Sequence, residues 1–304
     1  MPRISVIIAT RNRCTLLPRA VDSARDAGND LEIVIVDDAS EDQTADVCAK
    51  LSESTDIRYV RCKARLGVGG ARNVGLISST APYVTFLDDD DVRLPGSLDK
   101  QAKKLDEAPA AGMIYGKAWY GDEQCQATGS SYPEVCREGD LFWELLVWNF
   151  IPCPTVVVRR ACLSRLGLLE EEAQGVEDWD LWVRIAELYP VIGLDEPVAV
   201  WRQPTDSSDQ FTARSEKLHR LAHKLHRHSW LKLPRAMEAA PAQRRHIARA
   251  FSKRVSQQLL WEGASNLKSK RLRKFTSVAL ASARFDPVGM GKAILSQAWS
   301  ELRR

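Results

Sequence analysis

Apolar β-branched runs alternate with stretches of helical period through the first ninety residues. Ile4-Ser5-Val6-Ile7-Ile8-Ala9 reads as a strand buried on both faces. A helix is expected over Leu16 to Ala27, with Gly28-Asn29 suited to a left-handed cap. Glu32 to Val36 forms a second strand, and Asp42 or Gln43 opens a helix to about Ser52. Ile57 to Val60 is a third strand, Ala71 to Ser78 a helix entered from Gly67-Val68-Gly69-Gly70, and Tyr83 to Leu87 a fourth strand. This alternation predicts an α/β fold with a mostly parallel central sheet flanked by helices.

The pattern loosens in the middle. Met113 to Gly116 reads as a strand, Trp119 to Cys136 as loops or short strands, and Glu138 to Trp148 as a helix. Thr155 to Val158 is a strand and Ala161 to Leu166 a short helix ending at Gly167. A helix runs from Glu177 to about Leu188, with Leu181, Ile185 and Leu188 on its apolar side. Strands are expected at Val191 to Leu194 and Val198 to Val200, the latter ending in Trp201-Arg202. After Thr212 only helical stripes remain: Leu218, Leu221, Ala222 and Leu225; Ile247, Ala250, Phe251, Val255 and Leu259; and Ile294, Leu295, Ala298 and Trp299.

The polar residues are not scattered over this pattern. Thr10-Arg11-Asn12-Arg13, Asp37-Asp38, Arg65 to Arg72 and Asp88 to Asp91 all follow strands, and in parallel sheets ligands collect outside the carboxyl ends of strands. Four consecutive carboxylates at one strand end call for counter-charge, and hard divalent cations take oxygen ligands. The glycine segment before Arg72 and Asn73 allows close approach of a phosphate at a helix start. It is not a dinucleotide fingerprint, because it does not follow a strong strand in register.

Charge separates the chain into two parts. Residues 1–213 carry 22 Lys/Arg against 35 Asp/Glu, whereas residues 214–304 carry 21 against 5 and hold all five histidines. Domains are therefore expected at 1–213 and 214–304. In the second, the apolar stripes read as faces packed on the first domain or in a homodimer, with Lys268 to Lys274 a basic hinge or patch. Peripheral attraction to an anionic membrane or a lipid phosphate is the competing reading. Nucleic acid is not expected, since no recognition module is visible. His219, His223 and His226 share a helical face, but Arg220, Lys224 and Arg227 beside them argue against a metal. No run approaches the ~18 to 20 apolar residues that span a bilayer, and the N-terminus lacks the shape of a signal peptide. Seven cysteines without a CxxC pair suggest a reducing, cytoplasmic setting.

Several of these motifs, in order and over about residues 3–205, resemble family 2 inverting glycosyltransferases of the GT-A fold. They are Val6 to Arg13, Val34 to Thr44, Ala71-Arg72-Asn73-Val74-Gly75, Phe86 to Asp91 with Leu94-Pro95, and Val176 to Arg184. The resemblance implies transfer of a sugar from a nucleotide-diphosphate sugar, most simply a UDP-sugar, to a hydroxyl on a glycan, lipid-linked or small-molecule acceptor. It assigns Asp38 to the nucleotide base, with Thr10, Arg11, Asn12 and Asp89 also on the donor side. It places Arg72 near the donor diphosphate, Asp88 near the ribose or sugar, and Asp88 with Asp90 as DxD ligands of Mg2+ or Mn2+. Asp178 is then the general base, with Glu177, Trp179 and Arg202 in acceptor or supporting roles, and residues 1–213 divide into a donor-binding part to about 117 and an acceptor-side part over about 118–213. Two positions depart from the family pattern: Asp89 stands where Ser is frequent, and Gly167-Leu168-Leu169-Glu170 replaces the usual Gly-Phe-Asp-Glu. A turnover-deficient nucleotide-sugar-binding protein and a sugar-phosphate nucleotidyltransferase are the alternatives. The nucleotidyltransferase normally has a glycine-rich loop after the first strand, and here that loop has no glycine.

Overall fold

The computed structural model describes residues 1–203, 215–268 and 272–286. The chain forms two compact units, Met1–Leu145 with Asn149–Ser208, and Leu146–Trp148 with Asp209–Arg304.

In the first unit the chain runs β1 (Ile4–Thr10), α1 (Leu17–Asp26), β2 (Leu31–Asp37), α2 (Thr44–Leu51), β3 (Ile57–Arg61), α3 (Gly67–Ser78) and β4 (Tyr83–Asp88). It continues as β5 (Val92–Arg93), α4 (Ser97–Glu107), β6 (Met113–Gly121), β7 (Ala127–Tyr132), α5 (Phe142–Leu145), β8 (Val157–Arg159), α6 (Arg160–Leu166), α7 (Glu177–Leu188) and β9 (Val191–Arg202). One sheet has the order β3-β2-β1-β4-β8-β6-β9-β5, with β7 paired to β6. The first four strands of that order are parallel, and β8 then joins antiparallel to both β4 and β6. The fold is thus the expected α/β sheet flanked by helices, parallel over its N-terminal half and mixed beyond it.

Pleating explains the two layers. Ile4, Val6 and Ile8 of β1 share a buried cluster with Leu17, Ala20, Val21 and Ala24 of α1 and Leu98, Ala102 and Leu105 of α4. On the opposite face, Val34 and Val36 of β2 pack with Ala71 of α3. Helix α3 lies so close to β1 that a Cβ on Gly75 would sit 2.4 Å from Ile7 Cγ2. Register then aligns the chemistry: Thr10 is level with Asp37, and Ala9 with Asp88.

Several expected elements differ. Helix α1 ends without a left-handed glycine; Ala27 is right-handed and the positive φ falls on Asp30. Helix α3 begins at Gly67, four residues before the expected start, so Gly69 and Gly70 lie inside it. The helix expected over Glu138 to Trp148 shrinks to Phe142–Leu145, and the two last expected strands fuse into the single β9.

The second unit contains α8 (Ser215–His228), a 3-10 turn at Trp230–Lys232, α9 (Pro234–Glu238), α10 (Pro241–Lys268) and α11 (Leu272–Phe285). Ala222, Leu225, Trp230, Ile247, Phe251, Val255 and Leu259 are buried in it, in agreement with the first two stripes. The third stripe, Ile294 to Trp299, and part of the basic segment 268–274 lie outside the described residues. Trp148 belongs to this unit because its indole stacks on His219, 5.8 Å between ring centroids, beneath the Arg254 guanidinium. No helix among the described residues is long and apolar enough to cross a membrane.

Candidate active site

The carboxyl ends of β1, β2 and β4 bring the predicted residues to one edge of the sheet. The loops after β1 and β2 are tied together: the Asn12 N–H donates to Ser40 Oγ at 3.0 Å, and Asn12 Oδ1 accepts from the Glu41 N–H at 2.8 Å. Asn12 and Ala39 both adopt positive φ in these tight turns. Arg11 lies 3.7 Å from Glu41. Asp37 is fully buried, and its carboxylate accepts from the Ser40 N–H at 2.8 Å and the Tyr59 hydroxyl at 3.0 Å.

Asp38 has a different local task. Its two oxygens accept the N–H groups of Leu66 and Gly67, at 2.6 and 2.8 Å, at the start of α3. Those donors are the ones a phosphate would need at a helix N-terminus. The start of α3, with its glycine segment, is thus capped by Asp38.

The four aspartates separate into distinct environments. Asp88 closes β4, keeps a partly exposed side chain, and accepts from Arg72 Nη2 at 2.5 Å. Asp89 turns inward, where Thr10 Oγ1 donates to it at 2.7 Å. Burial, with Asp90 beside it, pushes the Asp89 carboxyl up to about 7. Asp90 Oδ2 accepts from Arg202 Nη2 at 2.9 Å and Arg13 Nη1 at 3.4 Å. Asp91 is buried, accepts the Arg202 N–H at 2.8 Å, and its Oδ2 has no protein partner. Burial and the neighbouring Asp90 raise its pKa well above the usual carboxylate range.

Arg72 joins this edge to the N-terminus of α7. Its guanidinium is buried over the Phe86 ring, with Nη1 donating to Glu177 Oε1 at 2.6 Å while Nη2 holds Asp88. Arg72, expected near a donor diphosphate, pairs with these two carboxylates. Gly175, at φ 88°, lets the chain turn so that its N–H meets Glu177 Oε2. Burial raises the Glu177 pKa despite the adjacent Arg72.

Asp178 follows directly and is only half-buried. Its Oδ1 accepts the Trp179 N–H at 2.6 Å. Loss of water contact, reinforced by Glu177, pushes its carboxyl up to about 7. Trp179 itself is buried, with its indole N–H donating to the Leu145 carbonyl at 2.7 Å, and so it supports α7 from the core.

Three contributions were not read from the sequence. Arg13 closes on Asp90, and the only trace of this is its place in the basic loop after β1. Asn73 holds both the N–H and the carbonyl of Leu169, giving the divergent 167–170 segment a fixed position. Arg93 is buried without a carboxylate partner, donating to the Pro154 carbonyl and Gln101, and burial lowers its pKa to about 9.

Among the described residues no group of three or more His, Cys, Asp or Glu side chains converges to hold a metal. Asp88 and Asp90 can offer at most two carboxylates. That donor set suits a magnesium-type ion completed by water and substrate phosphates, not an all-protein cage.

The parallel half-sheet, with acids at its carboxyl edge and a buried arginine linking them to a second acidic helix start, defines a GT-A-type α/β protein. The glycosyl transferase family 2 model matches residues 5–167, and the chain belongs to that family. It is 40% identical over 113 residues to the GalNAc(5)-diNAcBac-PP-undecaprenol beta-1,3-glucosyltransferase of Campylobacter jejuni, covering 36% of this chain and 37% of that protein. An uncharacterized glycosyltransferase of Nostoc is 36% identical over 188 residues, covering 59% of this chain and 56% of that one. The chain thus spans well under two thirds of the length of these relatives. In fold it is similar to the mannosyltransferase PcManGT from Pyrobaculum calidifontis, solved with GDP-Man and Mn2+, with a TM-score of 0.62, 19% identity, and coverage of 99% and 81% of the two chains. S. aureus TarS 1-349 in complex with UDP-GlcNAc gives a TM-score of 0.56 at 16% identity, with 93% and 91% covered.

Proposed function

We propose that the protein is an inverting glycosyltransferase that moves a sugar from a nucleotide-diphosphate sugar to an acceptor hydroxyl, with Asp178 as general base. The observation that carries this reading is the ion-pair chain Asp88–Arg72–Glu177, buried at Arg72 and Glu177, which fixes the proposed donor-side acid and the start of α7 in one network. Asp178 is the next residue along, and its partial exposure leaves a carboxylate open to a substrate. The donors bound in the two related structures, GDP-Man and UDP-GlcNAc, support a nucleotide-sugar donor, and a UDP-sugar is the simplest choice. The relative's PP-undecaprenol substrate supports a glycan or lipid-linked acceptor as readily as a small molecule.

In this mechanism the acceptor oxygen attacks the anomeric carbon from the face opposite the leaving diphosphate. Its proton passes to Asp178 as the new C–O bond forms and the bond to the phosphate oxygen breaks, so a single displacement inverts the centre. A pKa near 7 suits this role, because about half of the base is ionised at neutral pH and it is basic enough to take the proton. Asp88 and Asp90 would hold Mg2+ or Mn2+, which supplies positive charge to the departing diphosphate. Arg13 and Arg202 hold Asp90 in place and add cationic charge beside it. Asp38 and Thr10 act by shaping the donor-side loops, the first by capping α3 and the second by fixing Asp89.

A screen of nucleotide sugars with Mg2+ or Mn2+ tests the reading. Metal-dependent turnover of at least one donor is expected, with loss on chelation and recovery on adding the ion back. Turnover that is indifferent to chelation would remove the metal from the mechanism.

A further inference from the structure

The C-terminal unit contains a pocket that the sugar-transfer reading does not use. Its volume is about 350 Å3, and it lies where α8, the 3-10 turn and α10 meet. Arg227 comes from the first of these, Lys232 from the second and Arg244 from the third, with His223, His226 and the Ser252 hydroxyl completing the polar lining. Among the described residues that line it, none carries a carboxylate.

Three cations drawn from separate segments repel one another unless something negative sits between them. Two buried side-chain atoms of residues that line it reinforce the point. His226 is 1% exposed, stacked at 4.2 Å on Phe251, and its Nε2 has no hydrogen-bond partner. Arg244 Nε is likewise buried without a partner, and its Nη2 reaches only the Leu231 carbonyl at 3.5 Å. Buried polar groups are nearly always satisfied, so such orphans mark a missing partner. The volume falls within the range of small-ligand sites.

We propose that this pocket binds a phosphate or diphosphate group. A tetrahedral oxyanion supplies several acceptors, which the Arg227, Lys232 and Arg244 cations, the Ser252 hydroxyl and the His226 ring can share as charge-assisted hydrogen bonds. The group can belong to a soluble phosphate compound or to a phospholipid headgroup. Burial, with His223 nearby, holds the empty site's His226 neutral by lowering its pKa to about 4. A bound anion favours the imidazolium and shifts that value upward.

All five histidines lie in the C-terminal region, so histidine-ring NMR of the full-length protein reports on this unit whatever occupies the sugar-nucleotide site. Titration with inorganic phosphate and with pyrophosphate should move the His226 ring resonances saturably. Arg244→Gln should weaken binding about tenfold, the loss expected for one charge-assisted bond. Arg227→Gln with Lys232→Gln, two exposed positions that leave the helical core intact, should weaken it at least as much. No saturable His226 shift, or unchanged affinity in the double variant, overturns the proposal. Sedimentation with phosphatidylcholine vesicles, with and without phosphatidic acid, separates the sources. Binding to the acidic vesicles that pyrophosphate displaces identifies a headgroup, whereas pyrophosphate binding without sedimentation identifies a soluble phosphate compound. Vesicle binding that persists in the double variant, without a His226 shift, contradicts the site.

Discussion

Asp178 sits in a position that suits chemistry better than stability. An aspartate with an ordinary pKa of 3.8 and a folded-state value of about 7 binds its proton more tightly when folded. Its contribution to stability is therefore fully present below the unfolded pKa and is lost as pH rises through about 7. Asp178→Asn removes that penalty: at pH 8 the variant should be more stable than the parent by about 1 to 2 kcal/mol, discounted for partial exposure. The difference should shrink as pH falls from 8 toward 4, which denaturant titrations at several pH values will show. As the proposed base, the same carboxyl is expected to set the rate profile. Turnover should rise with pH up to about 7 and then level off, since only the ionised form accepts the proton. Asp88, Asp90 and Asp178 were legible in the sequence as acids after a strand and at a helix start. The partners they choose were not. That Asp38 caps α3 and that Arg72 is consumed by Asp88 and Glu177 depends on where loops distant in sequence meet, and no local spacing encodes it.

The elements hold these residues through one close approach and one buried ion-pair network. Helix α3 reaches β1 only because Gly75 has no side chain against Ile7. Gly75→Ala should destabilise the protein by about 1 to 3 kcal/mol through overpacking, measured as a lower denaturant midpoint with unchanged slope. Arg72→Ala is expected to be worse, about 3 to 5 kcal/mol, because it leaves Glu177 buried without its counter-charge. Arg72→Ala with Glu177→Gln should recover part of that loss. Strands β1 to β4 were readable because each is a short apolar run closed by polar residues. Helix α4 was not, since its apolar positions Leu98, Ala102 and Leu105 are few and set among charged residues. The helix expected at 138–148 failed for the opposite reason: its apolar pattern is real, but tertiary packing gives Leu145 to α7 and Trp148 to the C-terminal unit.

For the molecule as a whole, the charge division in the sequence corresponds to two kinds of structure. The acidic part is an α/β sheet with its carboxylates gathered at one edge, and the basic part is helical with a cationic pocket. The histidines that suggested a shared helical face are explained by aromatic stacking, His219 on Trp148 and His226 on Phe251. The central claim is sugar transfer with Asp178 as the base. Its most direct test is the transfer rate from an accepted nucleotide sugar, at saturating metal, by the parent protein and by Asp178→Asn side by side. The account predicts a rate about 10²- to 10⁴-fold lower in the variant, with donor affinity retained and the pH dependence near 7 abolished. A variant that transfers sugar at the parental rate contradicts it.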